Sequence, residues 1–195
     1  MPTDPVIPPG KLRVTITHLE MWEAPSAPMP AAPTGTRVER ITAPTVPFYR
    51  YLYNTVGEDW LWGDRRRMSD AALATHLADP AIAISVLYRG GAPAGFYELD
   101  CHLDGEVELA YFGLLPHATG QGLGPFLLGC ALVDAWKRRP DRVWVHTCSL
   151  DHPAALSVYR RAGFADFKTE TVLDDDPRVL GLIRRSAAPQ HAIVE

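Results

Sequence analysis

Residues 106–139, EVELAYFGLLPHATGQGLGPFLLGCALVDAWKRR, constrain the fold more than any other part of this chain. They read as a strand, a glycine-rich loop and a long amphipathic helix. Period-two alternation is expected to set Glu106, Glu108, Ala110, Phe112 and Leu114 on one face of the strand. Val107, Leu109, Tyr111 and Gly113 would then take the other. The loop Gly120-Gln121-Gly122-Leu123-Gly124 follows, and Pro125 falls where a missing N–H costs nothing at a helix start. Three glycines permit a tight turn and close approach of a ligand to the main chain. The first N–H groups of a helix lack internal partners, and the helix dipole favours anions there. Strand, loop and helix together therefore form a device for holding phosphate. Lys137, Arg138 and Arg139, with Pro140 behind them, end the helix. Taken alone, the G-x-G-x-G spacing also fits a turn that merely holds a strand against a helix.

Residues 142–164, RVWVHTCSLDHPAALSVYRRAGF, add a short apolar strand, a turn at Asp151-His152-Pro153, a helix, and Gly163 as its C-cap. With this second segment the chain resembles the GNAT superfamily of acyl-CoA-dependent N-acyltransferases over roughly residues 37–171. The family's pyrophosphate signature, Gln/Arg-x-x-Gly-x-Gly/Ala, is met at Gly122 and Gly124, with the additional Gly120. Its second signature, Asn-x-x-Ala-x-x-Leu-Tyr-x-x-x-Gly-Phe, is met at Ala155, Tyr159, Gly163 and Phe164. Thr119 stands in place of the usual Gln or Arg, His152 in place of Asn, and Val158 in place of Leu. The resemblance implies an α/β fold of the GNAT type: a mixed, mostly antiparallel central sheet, splayed between the family's fourth and fifth strands and flanked by helices. It also implies acetyl-CoA as the acyl donor and a homodimer as the usual assembly.

With 195 residues the chain suits one domain that buries a core without staples. A formal charge of −4 makes no electrostatic case for nucleic acid. Cys101, Cys130 and Cys148 are odd in number and lack metal-type spacing, as expected of reduced thiols in a cytoplasmic protein, and no metal site is expected. The first ten residues have no apolar run and nothing later reaches transmembrane length, so secretion and membrane insertion are not expected.

Ten of the 18 prolines lie before Phe48. Residues 1–10 are expected to be disordered, residues 11–22 to form a strand by β-branched alternation, and residues 23–35 to form an extended Pro/Ala linker. Residues 1–35 thus read as an extension, its strand capping an open sheet edge in its own subunit or a neighbour. The family domain would occupy residues 36–185, followed by a flexible tail at 186–195. Within it, residues 37–42 read as a strand. A helix starts near Pro44 and Pro47, and a second, capped by Ser69, covers residues 71–77. Strands at 81–88 and 94–102 form a hairpin. Residues 165–173 read as a further strand and 179–183 as a short last one.

Acyl transfer from a thioester to an amine needs a polarised carbonyl, an unprotonated amine and a proton for the leaving thiolate. By the resemblance, the backbone of Phe112, Gly113 and Leu114 holds the pantetheine arm, and the Leu114 N–H meets the thioester carbonyl. Leu115, Thr119, Gly120, Gln121, Gly122, Leu123, Gly124, Pro125 and Phe126 wrap the pyrophosphate; His152, Ala155 and Tyr159 complete the cofactor side. Glu108, six residues before Leu114, is the first candidate base, with Glu98, Glu106, His146 and a water relay as alternatives. Tyr159 is the candidate general acid. Trp60 and Trp62, with Asp64 beside them, suggest an aromatic and partly acidic pocket for a cationic amine, although their spacing also suits packing. The run Arg65-Arg66-Arg67 reads equally well as a solvated face. The expected activity is acetylation of a primary amine on a small molecule or amino acid. Acetylation of proteins or peptides, or non-catalytic acyl-CoA sensing, stand as alternatives. A dinucleotide fingerprint would need Gly where Pro125 stands.

Overall fold

The divergence of two neighbouring parallel strands shapes the whole molecule. The computed structural model describes residues 6–195. In chain order these form β1 (Lys11–Met21), β2 (Thr36–Arg40), α1 (Val46–Gly57), α2 (Asp64–Arg67), α3 (Asp70–Ala78), β3 (Ile82–Arg89), β4 (Ala92–Asp100), β5 (Glu106–Leu114), α4 (Leu123–Trp136), β6 (Arg142–Cys148), α5 (Ala155–Arg161) and β7 (Ala165–Asp175). One seven-stranded sheet runs β2-β3-β4-β5-β6-β1-β7. Every neighbouring pair is antiparallel except β5 and β6. That parallel pair is held together only from Glu106–Arg142 to Glu108–Trp144, and beyond it the strands part.

The alternation expected along β5 does not run through the strand. Tyr111 lies opposite Glu98 but Leu109 opposite Leu99, so Ala110 is an extra residue. A bulge of this kind reverses which face each later side chain takes. Val107 and Leu109 consequently share the α4-side core with Phe112 and Leu114, whereas Tyr111 joins the core beneath α1. Gly113 points the same way as Tyr111: a Cβ there would sit 2.3 Å from Val56 Cγ1. Glu106 and Glu108, alternating with Val107 and Leu109, therefore face the α1 side along with Tyr111.

The early strand is not an edge cap. β1 lies inside the sheet, antiparallel to β6 from Ile16 to Met21 and to β7 from Lys11 to Glu20. Its Leu19 and Met21 enter the α4-side core. Leu12 and Val14, on its other face, pack with Leu61, Leu150, Ile183, Ala187 and Ala188. The linker over residues 23–35 stays extended and exposed. It crosses the α4 side, where Met29 and Pro30 lie against Gly129, and so carries the chain from β1 to β2 at the far edge.

The C-terminal segment also departs from expectation. Residues 179–183 form turns, and the tail from Ser186 is packed rather than loose. Arg178 and Asp176, each only 1% exposed, pair at 2.8 Å. A buried guanidinium has five donors to satisfy. Arg178 Nη1 donates to the carbonyls of Ala187, Ala188 and His191 at 3.2, 3.2 and 2.8 Å, which fixes the tail. Of the segment expected to be disordered, residues 1–5 lie outside the described residues, while Gly10 N–H donates to the Val194 carbonyl at 2.8 Å.

Removing residues 1–22 should therefore abolish cooperative thermal unfolding, because it withdraws an interior strand. A circular permutant joining Glu195 to Val6 through a short Gly-Ser link, opened between Ser26 and Ala27, should keep it. A truncated chain that melts like the full one would contradict this placement of β1.

Candidate active site

The open side of β5 presents unpaired backbone. The Leu115 N–H donates to the Ala94 carbonyl on β4 at 2.9 Å. Successive strand amides point to opposite sides, so the N–H groups of Leu114 and Phe112 turn away from β4 and into the gap. A short 3₁₀ turn (Pro116–Ala118) then leads to the glycine loop. Gly120 and Gly122 take φ of 76° and 74°, and a Cβ on either would meet nothing within 4 Å. The space above the loop is open, and the loop conformation is one that side-chain-bearing residues adopt at a cost. Gly122 precedes α4 with no side-chain cap. Pro125 is thus the third helical residue rather than the first, and its missing N–H is still among those without an internal partner. A diphosphate fits this arrangement: free amides, open space and the positive end of a 14-residue helix coincide.

A cavity of about 460 Å³ extends from this loop to the parting of β5 and β6. Phe112, Gly113, Leu114, Thr119, Gly120, Gly122, Gly124, Pro125, His152, Ala155 and Tyr159 line it, as do Trp60, Trp62 and His146. Leu115, Leu123 and Phe126 are instead core side chains, so only their backbone is available to a ligand. The Gln121 side chain is turned aside, donating to the His117 carbonyl at 2.6 Å and accepting from Arg89. The Thr119 hydroxyl donates to the Leu115 carbonyl at 3.3 Å.

The acceptor half is walled by aromatic rings. Trp62 packs 5.3 Å from Tyr53 and 5.1 Å from Tyr111, and Trp60 meets His152 edge-on at 5.1 Å. Trp62 Nε1 donates to Asp151 Oδ1 at 3.2 Å, a bond between the α1–α2 connection and the β6–α5 turn. The second Asp151 oxygen accepts from the Thr147 hydroxyl at 2.8 Å and the Cys148 N–H at 2.9 Å. The Tyr111 hydroxyl donates to Asp64 at 3.0 Å. Leu12, Val14 and Ile16 of β1 and Asp174 of β7 complete the lining. No local pattern in the sequence marks these residues, since sheet order alone brings them here. Asp151 was legible only as a turn residue.

Glu98 does not reach the cavity. It is 0% exposed and accepts from Tyr49, from Arg65 Nη2 at 2.8 Å and from His76 at 3.0 Å. Its place on β4 sets it beneath α1 and α3, where an unpaired carboxylate would be costly. In the arginine run Arg65 and Arg66 are likewise held inside rather than solvated, while Arg67 is exposed. Arg65 serves Glu98, Arg66 is held by Glu58 and the Asn54 and Leu182 carbonyls, and Arg67 lines the cavity.

Glu108 reaches the main cavity through a partner. Its Oε1 lies 3.1 Å from His146 Nδ1. Glu108 itself lines an adjoining cleft with Asp100, His102, Glu106 and Trp144, whereas His146 lines the main cavity. A carboxylate accepts, so the neutral imidazole carries its proton at Nδ1 and leaves Nε2 as the free acceptor. The Glu108 hydrogen bond raises the His146 pKa against the opposing effect of burial, and the charges of Glu108, Asp151 and Asp64 add to it. His18 of β1 stands across from His146, ring centroids 6.0 Å apart, and bonds Glu170 at 2.9 Å. Tyr159 is packed edge-on between Phe112 and Phe164 at 6.1 and 5.9 Å. Burial, and then the charge of Asp151, hold its phenol protonated far above the ordinary range. Among the described residues no group of His, Cys, Asp or Glu is arranged to hold a metal, and no helix is long and apolar enough to cross a membrane.

Residues 49–164 match the model of the acetyltransferase (GNAT) family. That is more than half of the chain and includes the fork, the glycine loop and Tyr159. The chain belongs to this acetyltransferase family. Solved structures share the fold. A GCN5-related N-acetyltransferase from Kribbella flavida is 21% identical over 86% of this chain and 60% of its own, with a TM-score of 0.58. One from Sphaerobacter thermophilus is 19% identical over 86% and 51%, with a TM-score of 0.56. A tandem GNAT protein from the clavulanic acid biosynthesis pathway is 17% identical over 89% and 60%, with a TM-score of 0.61. The chain thus spans between 51% and 60% of the length of these three. A comparison with curated proteins finds no match.

Replacing Glu98 by Ala should cost about 3–5 kcal/mol in urea unfolding, since it strands the Arg65 charge. Burial alone would raise the Glu98 pKa, but its bonds to His76, Arg65 and Tyr49 hold it below the ordinary carboxyl value. Its contribution is then fully present above that ordinary value and fades as pH falls through the lowered one. The Ala variant should lack this part of the acid dependence. Parallel stability–pH curves for the two proteins would contradict the assignment.

Proposed function

We propose that this chain transfers an acetyl group from acetyl-CoA to the primary amine of a small molecule by direct attack. The observation that carries this reading is a single cavity lined at once by the glycine loop, the Leu114 backbone, His146 and Tyr159. Acetyl-CoA supplies a thioester whose carbonyl carbon accepts the amine and whose sulfur departs. The loop amides at Gly120, Gly122 and Gly124 hold its diphosphate, and the N–H groups of Phe112 and Leu114 hold its arm and polarise the carbonyl.

His146 Nε2 removes the proton from the incoming ammonium, with Glu108 fixing the tautomer and steadying the imidazolium that results. Glu108 is then a positioning residue, and the cleft it shares with Asp100 and His102 gives the proton a way to solvent. The nitrogen's second proton follows the same path once the new C–N bond forms. Tyr159, neutral because burial keeps it so, delivers its hydroxyl proton to the departing sulfur and recovers one from solvent. Cys148 also lines the cavity, but burial and the charge of Asp151 push its pKa up to about 12, so it offers no thiolate for a covalent acyl relay. The bond from Trp62 to Asp151 and the contact of Trp60 with His152 narrow the acceptor side, which favours a small molecule over a peptide.

Thiol release from acetyl-CoA across a panel of amines tests the reaction. Tyr159→Phe should slow the chemical step ~10²-fold with little change in the KM for acetyl-CoA. Activity should rise with pH as His146 loses its proton. Glu108→Gln removes the interaction that raises the His146 pKa, so this acid limb should move to lower pH while kcat falls. A limb that stays in place in Glu108→Gln, or survives in His146→Gln, would remove the pair from the mechanism.

A further inference from the structure

We propose that the acceptor is an aliphatic di- or polyamine: an alkyl chain with a second cationic group and no carboxylate. The inference rests on the acetyltransferase reading and concerns the acceptor half of the same cavity. Four carboxylates from three separate elements line that half: Asp64 at the start of α2, Asp151 in the β6–α5 turn, and Asp174 and Asp175 at the end of β7. The bonds of the first three go to neutral donors. Asp64 accepts from the Tyr111 hydroxyl, Asp151 from Trp62, Thr147 and Cys148, and Asp174 from the Asp175 N–H at 2.7 Å. Asp175 is neutralised differently, by Lys11 at 2.6 Å and by Arg67 at 3.8 Å. Asp64 and Asp174 are exposed and Asp151 is half-buried; carboxylates that face a cavity and bond only neutral donors favour an occupant that brings the positive charge with it. The rings of Tyr53, Trp60, Trp62 and Tyr111 on the same walls suit a cation as well.

The shape of the floor narrows the class further. Leu12, Val14 and Ile16 succeed one another along β1 on the cavity side, an apolar strip of about 13 Å at strand rise. His146 stands opposite His18, just beyond one end of that strip, and Asp174 stands opposite Leu12 at the other. Asp151 bonds Thr147 and Cys148, next to His146 on β6, and Asp64 bonds Tyr111 of β5, so both lie toward the reacting end. An apolar strip with carboxylates near both ends matches methylenes between amino groups. Of the two poles Asp64 is the stronger, because Lys11 and Arg67 offset part of the charge around Asp174. A free α-amino acid would set its own carboxylate among these, which like-charge repulsion disfavours.

Calorimetric titration of the full chain, saturated with coenzyme A, against unbranched diamines, monoamines of equal length and α-amino acids tests this without turnover. Diamines should bind at least ~10-fold more tightly than monoamines, more so at low salt, and amino acids more weakly than either. In Asp174→Asn the diamine preference should shrink toward the monoamine value, whereas Asp64→Asn should weaken monoamine and diamine alike. Equal binding of monoamine and diamine, no diamine binding, or an undiminished preference in a folded Asp174→Asn would overturn the proposal. Because the wild-type comparison stands alone, a variant that does not fold leaves the test intact. Thiol release from acetyl-CoA with the bound diamine is a separate readout, and its absence would count against the transfer reaction rather than the polyamine site.

Discussion

Everything in this molecule depends on β5 and β6 being hydrogen-bonded for three residue pairs and then ceasing to be. A parallel pair that continued would consume the amides of Phe112 and Leu114 and close the cavity. Because the strands diverge, one edge of β5 is left as an unpaired template inside a folded domain, the kind of edge that extended ligands occupy. The bulge at Ala110 adds a second consequence. It lets one strand send Val107 and Leu109 into the α4-side core together with Phe112 and Leu114, while Glu108 and Tyr111 face the acceptor side. One strand can therefore carry both the backbone edge facing the gap and Glu108, the partner of His146, without competing for a face.

The fork needs support on its far side, and β1 provides it. The family match covers residues 49–164, yet β1, β2 and β7 lie outside that span and complete the sheet. β1 braces β6 with its backbone, fills the main core with Leu19 and Met21, and floors the cavity with Leu12, Val14 and Ile16. The tail is drawn onto this strand by the buried Arg178–Asp176 pair, whose guanidinium takes three tail carbonyls. Glu98 and Arg65 serve a similar purpose beneath α1, anchoring the connection that carries Trp60, Trp62 and Asp64. Both buried pairs fix position; neither supplies chemistry.

The sequence was most informative where function demands a local pattern. Gly120 and Gly122 sit at positive φ, as a loop cradling a ligand requires, and β5, α4, β6 and α5 follow in the order their periodicities suggest. Long-range placement was not legible. Alternation along residues 106–114 could not register a bulge that exists only against β4. Nothing within residues 11–22 distinguishes an interior strand from an edge cap, because both read as β-branched alternation. Glu98 and Glu108 look alike as isolated carboxylates; only the neighbours Arg65 and His76 in one case, and His146 in the other, separate a buried anchor from a group at the cavity. The tail at residues 186–195 reads as unstructured because Arg178 and Gly10 hold it through backbone carbonyls that no side chain advertises.

The central claim is that the open edge of β5 and the amides of the glycine loop grip coenzyme A. Amide hydrogen exchange, followed residue by residue with and without coenzyme A, tests it most directly. Slowed exchange concentrated at Phe112, Leu114 and residues 120–124 is the expected result. Unchanged exchange at those amides under saturating coenzyme A would contradict the account.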